Sequence, residues 1–387
     1  MSAGRLQRLR DAGVSIWLDT LSRDLLDSGA FDRLIADRAV TGATSNPTIF
    51  AKAITGSDAY DDQLRTAVAS GIHDPRELFF ELALGDVGAA ADRLRHVYDT
   101  THGHDGFVSL ECTPDLADDT GGTIDQAFGL WNRLARPNVM IKVPATDAGI
   151  PAIEELTARG VNVNVTLLFS VARYERVIDA YLAGLERRVA ARRPVDAIAS
   201  VASFFVSRVD AKTDALLPAD SNLRGRIALA NAGRAYGRYR RRFADQRWRA
   251  LRDHGATPQR PLWASTATKD PAYSDVLYVE ELIAPDVINT MPQATLDAFA
   301  DHGEVRHLLD DNPIRAEETL RRAEAAGIDL PSITTQLEHD GVRAFCDSYQ
   351  RLLRCIETRL ERKAVTAPRT DVRGQPQRER RIIGSAL

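Results

Sequence analysis

Residues 139–168 read VMIKVPATDAGIPAIEELTARGVNVNVTLL, and this stretch places two short apolar runs on either side of an amphipathic segment. The runs, residues 139–143 and 161–168, are rich in valine and have the length of buried strands. Between them, residues 151–158 have helical spacing and open on a proline, which favours the first helical turn. A strand, a helix and a second strand in this order predict a βαβ unit with parallel strands.

The same alternation of apolar run and amphipathic segment recurs along most of the chain. Eight such runs predict a closed parallel barrel, an α/β fold of the (β/α)8 TIM-barrel type with extra helices. The runs are residues 14–18, 40–44, 107–110, 139–143, 161–168, 198–206, 262–266 and 287–290.

The chain has 387 residues, more than the roughly 250 of a typical barrel, so some segments must be additions to the barrel. We predict one (β/α)8 domain over residues 1–364, with helical insertions near 51–105 and 210–258. Residues 303–364 have helical periodicity and are expected to close the domain. Residues 365–387 lack periodicity and are rich in Pro, Gly and Arg, which predicts a flexible tail.

Composition excludes several classes of protein. With 44% apolar residues the chain can bury a large core, and its net charge of −4 provides no global basic field for nucleic acid. Its three cysteines form no CxxC pair, which favours a reducing compartment. No segment approaches the roughly 18 apolar residues of a membrane span. We therefore expect a cytoplasmic protein that binds neither nucleic acid nor a membrane; its oligomeric state is not predicted.

Polar side chains stand at or just after the ends of nearly all the apolar runs. In a parallel barrel these ends meet at one rim, where such enzymes carry their chemistry. The side chains are Asp19, Thr44, Ser45, Asn46, Glu111, Lys142, Asn164, Thr166, Ser203, Arg208, Ser265 and Lys269.

Lys142 is the most informative of these residues. Only five of the 50 basic side chains are lysines, and Lys142 is the one that lies inside an apolar run. Burying an ammonium is costly unless it is paired or deprotonated, and a deprotonated amine can attack a carbonyl to form a Schiff base. The alternative is a structural lysine paired with a neighbouring carboxylate. Because Asp19 and Glu111 are expected at the same rim, we favour the catalytic interpretation.

The other rim residues have alternatives of their own. Carboxylates at Asp19 and Glu111 could move protons in Schiff-base chemistry, although Asp19 could instead cap a helix. Asn46 could equally form a turn before a proline. Arg208, with Ser265 and Lys269, fits the region where barrels bind phosphate, whereas Arg208 could instead pair with Asp210 on the surface.

Two further patterns suggest other functions. His102 and His104 have the HxH spacing of a metal-dependent hydrolase, but they precede a run and should lie at the opposite rim. Residues 234–252 interleave arginines with aromatic side chains, as nucleic-acid surfaces do. Because the aromatic residues have helical spacing, we favour a helix that packs them on the barrel and exposes its arginines.

Six ordered motifs together resemble transaldolase, the Schiff-base enzyme of the non-oxidative pentose phosphate pathway, and the similarity runs from about residue 14 to residue 360. The long form of the chain resembles the actinobacterial type. The motifs are TSNPTIF, SLECTPDLADDT, MIKVPAT, NVTLLFS, SFFVSRVD and INTMPQATLDAF.

The resemblance implies a reaction and roles for the residues. The reaction transfers a dihydroxyacetone unit from sedoheptulose 7-phosphate or fructose 6-phosphate to glyceraldehyde 3-phosphate or erythrose 4-phosphate. Lys142 matches the Schiff-base lysine and Asp19 the aspartate that exchanges a proton with the C4 hydroxyl. Glu111 and Thr166 match the pair that holds the catalytic water. No metal or organic cofactor is implied, because the protonated imine is the electron sink.

The resemblance also assigns substrate contacts. Asn46 and Asn164, with Ser203 beside them, match residues around the dihydroxyacetone moiety. Arg208 and Ser265 match phosphate ligands.

The chain departs from the family pattern at one position. Shorter members carry an arginine two positions after the serine of the seventh strand, where this chain has Ala267, so Lys269 is the candidate replacement. Glu111 is retained, whereas related aldolases that release free dihydroxyacetone have a glutamine there. The alternatives are such an aldolase or a non-catalytic protein that binds sugar phosphates or nucleic acid.

Overall fold

A computed structural model describes residues 4–306, 308–309 and 314–366. Eight parallel strands hydrogen-bond in chain order and close into a barrel, which confirms the predicted (β/α)8 fold. The strands are β1 Val14–Leu18, β2 Val40–Thr44, β3 Val108–Glu111, β4 Val139–Pro144, β5 Val163–Leu168, β6 Ser200–Phe205, β7 Arg260–Ala264 and β8 Val287–Met291.

Helices surround the barrel, and a short 3-10 helix spans Pro114–Leu116. The α-helices are α1 Arg5–Asp11, α2 Arg23–Asp27, α3 Ala30–Asp37, α4 Pro47–Gly56, α5 Asp61–Ala69, α6 Pro75–Thr100, α7 Thr120–Leu134, α8 Gly149–Arg159, α9 Val171–Ala190, α10 Ser207–Asp214, α11 Ile227–Arg242, α12 Gln246–Arg252, α13 Leu277–Glu280, α14 Gln293–His302, α15 Ile314–Ala325 and α16 Leu330–Thr366.

The strands read as continuous apolar runs because every residue in them is buried. The predicted run at 262–266 is the one most displaced from its strand. β7 begins at Arg260, whose guanidinium is buried and donates hydrogen bonds to the carbonyls of His104, Asp286 and Val287. β7 ends before Ser265, because Ser265 has a φ of 57° and leaves the extended conformation.

Extra helices occupy two of the connections. α4, α5 and α6 lie between β2 and β3, and Pro75 begins α6 behind an Asp74 cap rather than breaking a helix. α10, α11 and α12 lie between β6 and β7. On α11 the side chains of Tyr236 and Tyr239 are buried. Arginines of α11 and α12 form ion pairs with acidic residues of α9 and α15, as expected for a solvated helix face.

The long helix α16 packs across the carboxyl-terminal mouth of the barrel, against α4, α6, α10 and β5. It ends at Thr366, within the first two residues of the predicted tail. The remainder of that tail, residues 367–387, lies outside the described residues. In the part of the chain that the structure describes, no helix is long and apolar enough to cross a membrane.

Candidate active site

A cavity of about 590 Å³ opens at the carboxyl ends of the strands. It collects nine of the twelve side chains that the sequence predicts at this rim, whereas Ser45, Glu111 and Asn164 do not line it. The predicted residues in its wall are Asp19, Thr44, Asn46, Lys142, Thr166, Ser203, Arg208, Ser265 and Lys269.

Lys142 and Glu111 form a buried pair at the base of this mouth. The register of β3 on β4 sets the two residues side by side. Nζ of Lys142 lies 3.5 Å from Oε2 of Glu111 and donates a hydrogen bond of 3.1 Å to the carbonyl of Ser45. Burial raises the pKa of Glu111, while the Lys142 ammonium lowers it. The carboxylate partner that a structural lysine would need is therefore present, next to a cavity that a substrate could enter.

Asp19 follows β1 directly and is held by its neighbours. Its Oδ1 accepts a hydrogen bond of 2.8 Å from the hydroxyl of Thr44, which also lies 2.7 Å from the hydroxyl of Thr290. Burial raises the pKa of Asp19, and Lys142 lowers it less strongly. The capping alternative is wrong, because α2 begins later and the side chain of Ser22 caps it.

Asn46 caps a helix and also lines the cavity. Its Oδ1 accepts a hydrogen bond of 3.0 Å from the backbone amide of Ile49 and so caps α4. The same residue lines the cavity. The cap fixes the side chain at the rim of β2 and leaves its amide nitrogen as the group available to a ligand.

Asn164 lies on β5, beside Lys142 in the sheet register, and is fully buried. Its Nδ2 donates to the hydroxyl of Ser109 at 2.9 Å, and its Oδ1 accepts from the hydroxyl of Ser203 at 2.7 Å. Asn164 therefore orients Ser203, which does line the cavity. Nearby on β5, the buried hydroxyl of Thr166 has no hydrogen-bond partner among the described residues.

Arg208 lies in the first turn of α10, with its guanidinium 5.2 Å from the ring centre of Phe205. It forms no hydrogen bond or ion pair with any residue that the structure describes. Burial lowers its pKa, although the Asp19 and Glu111 carboxylates raise it. The proposed pairing with Asp210 is wrong, since buried Asp210 accepts hydrogen bonds from the amide of Ala228 and the hydroxyl of Tyr278.

The loop after β7 contributes further residues to the cavity wall that contains Arg208. The hydroxyl of Ser265 lies 2.9 Å from that of Ser207, next to Arg208. Ala267 and Lys269 both line the cavity, and Lys269 is exposed without an ion-pair partner in the described ranges. Arg208, Lys269 and the hydroxyl-bearing Ser265 therefore line the cavity together, and cations with a hydroxyl are groups that bind phosphate.

Comparison with known protein families matches residues 16–356 to one family, described as transaldolase/fructose-6-phosphate aldolase. The chain belongs to this family. It is 49% identical over 360 residues to a transaldolase of Saccharopolyspora erythraea, covering 92% of this chain and 98% of that one. It is 48% identical over 363 residues to a transaldolase of Frankia alni, covering 92% and 98%. It is 49% identical over 370 residues to transaldolase 1 of Streptomyces coelicolor, covering 94% and 97%. The resemblance to the actinobacterial type is confirmed.

Several residues in the wall of this transaldolase-family cavity were missed by the sequence analysis, and two of them come from helices packed over it. Lys52 is contributed by α4 and Phe345 by α16. The only sequence signal for Lys52 was its position less than two helical turns after Asn46, the residue that caps α4. Phe345 had none, because it reaches the mouth from a helix about 300 residues further along the chain.

The histidine pair lies far from the family's active-site rim. His102 and His104 precede β3 and line a separate cavity of about 230 Å³ with Arg260, at the amino ends of the strands. Burial lowers the pKa of His104, and Arg260 lowers it further. Across the described residues, no three His, Cys, Asp or Glu side chains form a group that could hold a metal ion.

Proposed function

We propose that the protein is a transaldolase that transfers a dihydroxyacetone unit between sugar phosphates through a Schiff base on Lys142. The observation that carries this proposal is the buried Lys142 amine, 3.5 Å from Glu111, in the wall of a cavity that Asp19 also lines. The membership in the transaldolase family supports the reaction class. The three cysteines are free thiols, which supports a reducing compartment such as the cytoplasm.

The first step joins Lys142 to the ketone carbon of fructose 6-phosphate or sedoheptulose 7-phosphate. The neutral amine adds to C2, and the carbinolamine loses water to give a protonated imine. Glu111 is placed to accept the proton that the ammonium must release, and its raised pKa suits it to hold that proton. Oε2 of Glu111 and Oγ1 of Thr166 accept no hydrogen bond from the described residues, so both are suited to hold the water that the carbinolamine gains or loses.

The second step breaks the C3–C4 bond. Asp19 accepts the proton of the C4 hydroxyl while the bonding electrons move towards the imine nitrogen. An aldose phosphate leaves, and the three-carbon fragment remains on Lys142 as an enamine. Thr44 holds the Asp19 carboxylate in place for this proton transfer.

The last step transfers the fragment. The enamine carbon attacks the carbonyl of an incoming aldose phosphate, Asp19 returns its proton, and hydrolysis of the new imine frees the product. The alternative is an aldolase that releases free dihydroxyacetone. The presence of glutamate at position 111 favours transfer. An assay with sedoheptulose 7-phosphate and glyceraldehyde 3-phosphate separates the two, because only the aldolase would release dihydroxyacetone as its main product.

Borohydride reduction tests the covalent intermediate. When the protein is incubated with fructose 6-phosphate and borohydride, we expect a stable adduct on Lys142, because reduction converts the imine to a secondary amine. Peptide mass spectrometry identifies the modified residue. Lys212, which pairs with Asp340 at 2.9 Å, serves as the internal control and should stay unmodified. Absence of an adduct on Lys142 would refute the mechanism.

Arg208→Leu is expected to raise the KM for fructose 6-phosphate by about 10- to 100-fold, which is the effect of losing a hydrogen bond to a charged group. Trapping of unphosphorylated dihydroxyacetone on Lys142 should change little, since that ligand has no phosphate. Arg247→Leu is the matched control, because Arg247 forms its ion pairs with Asp179 and Glu186 away from the cavity. An unchanged KM in Arg208→Leu would remove Arg208 from the phosphate site.

A further inference from the structure

α4 and α16 form the roof over the active-site mouth. From α4, Thr48 and Lys52 line the cavity, and from α16, Phe345 does. The hydroxyl of Thr48 donates a hydrogen bond of 2.9 Å to that of Ser348, which ties the two helices together. Lys52 is therefore carried by a helix with a fixed position over the cavity.

The chain uses lysine sparingly, and its few lysines are concentrated at this cavity. Only five lysines occur in 387 residues, and three of them line the one cavity. The arginine-rich surface elsewhere is built from ion pairs such as those of α11 and α12. A surface charge without a role could equally be an arginine, whereas the cation at position 52 in the cavity wall is a lysine. The three lysines are Lys52, Lys142 and Lys269.

Lys52 is exposed and forms no ion pair with the residues that the structure describes. The acids that follow α4 already have another cation: Arg359 lies 3.9 Å from Asp58 and 3.2 Å from Asp61. Lys52 therefore lines the cavity without a carboxylate partner among the described residues. Within the described chain, Asp19 is the only carboxylate in the cavity wall, so the mouth is strongly positive.

Lys52 and Arg208 approach the cavity from opposite sides. In the closed order of eight strands, β2 and β6 are diametrically placed. Lys52 lies on the helix that follows β2, and Arg208 on the helix that follows β6. A phosphate bound at Arg208, Ser265 and Lys269 would leave Lys52 at the other edge, where a ligand enters or leaves.

We propose that Lys52 is a specificity-determining residue that attracts and binds the phosphate of sugar phosphates at the mouth of the cavity. This proposal rests on the proposed function but adds a contact separate from the Arg208 side. A lysine suits such a transient contact, because its ammonium is a compact point charge on a flexible stem. The field of a positive cleft raises the capture rate of an anion and fades as salt screens it.

The test compares Lys52→Met with a matched variant, Lys212→Met, in the full-length protein. Acceptor concentration is varied at saturating fructose 6-phosphate, with glyceraldehyde 3-phosphate and with unphosphorylated glyceraldehyde. For Lys52→Met we expect kcat/KM for glyceraldehyde 3-phosphate to fall about three- to tenfold at low salt. We expect kcat, and kcat/KM for glyceraldehyde, to stay unchanged. The difference from the unmodified protein should shrink as ionic strength rises.

Each other outcome overturns the proposal. Equal losses with both acceptors would show that Lys52 shapes the cavity instead of recognising phosphate. No loss with either acceptor would show that the ammonium does not contribute. A similar loss in Lys212→Met would indicate a general charge effect. Failure of the proposed function is distinguishable, because the unmodified protein would then transfer nothing and give no borohydride adduct on Lys142.

Discussion

Lys142→Met should lower kcat by about 10⁵-fold or more, the scale on which an enzyme loses activity when its covalent nucleophile is removed. Methionine keeps the apolar stem of the side chain and removes the amine, so no imine can form. The measurements are steady-state transfer with fructose 6-phosphate and erythrose 4-phosphate, and borohydride trapping, which should give no adduct. Residual activity within tenfold of the unmodified protein would assign the chemistry to another group.

A double variant separates the catalytic role of Lys142 from a structural one. Removing one partner of a buried pair costs up to about 3–5 kcal/mol, because the other charge stays unpaired. Without the ammonium, the pKa of Glu111 rises further above its value in the unfolded chain. A carboxyl with a raised folded-state pKa makes the fold less stable as the pH rises between the two values. The loss in Lys142→Met should therefore be smallest at acid pH and grow towards neutral pH.

Lys142→Met combined with Glu111→Gln removes both charges and should recover much of the stability at neutral pH. Its activity should stay as low as that of Lys142→Met alone. Thermal unfolding across pH, measured alongside the transfer assay, checks both parts. If the double variant regained activity together with stability, Lys142 would be a structural lysine and the Schiff-base assignment would fail.

The barrel was predictable because of how its strands are buried. Parallel strands covered on both faces are buried at every position and are therefore mostly apolar, so each becomes a short apolar run in the sequence. The start of β7 does not follow this pattern, because its first residue is the charged Arg260. Its buried guanidinium is satisfied by carbonyls of residues 104, 286 and 287, which adjoin it only in the folded chain.

The wall of the cavity was predictable where its residues lie at the ends of strands and less so where they lie on added helices. Lys142 and Asp19 are placed by the ends of their strands, which a barrel brings to one rim. Lys52 and Phe345 come together only because α4 and α16 pack over the mouth. Neither local spacing nor composition reveals that contact between segments about 300 residues apart. The expected pair of Arg208 with Asp210 was wrong for the same reason, since Asp210 accepts a hydrogen bond from Ala228 in the first turn of α11.

Asp19→Asn should lower kcat by about 10²- to 10⁴-fold, the contribution of a positioned general base. Asparagine keeps the side-chain oxygen that accepts the hydrogen bond from Thr44, so the local geometry should survive. Schiff-base formation does not need this carboxylate, whereas cleavage of the C3–C4 bond does. With fructose 6-phosphate and borohydride, the variant should therefore still be trapped on Lys142, but with the whole six-carbon sugar phosphate attached. The unmodified protein should also yield the three-carbon adduct.

The pH profile provides an independent check on Asp19. Because burial raises its pKa, the unmodified protein should lose kcat/KM on acidification at a higher pH than the ordinary aspartate value of about 3.9. That acid limb should be absent in Asp19→Asn. Asp105→Asn is the control, because buried Asp105 accepts a hydrogen bond of 2.8 Å from Trp17 Nε1 near the opposite end of the barrel. A three-carbon adduct formed at the normal rate in Asp19→Asn would show that another base takes the C4 proton.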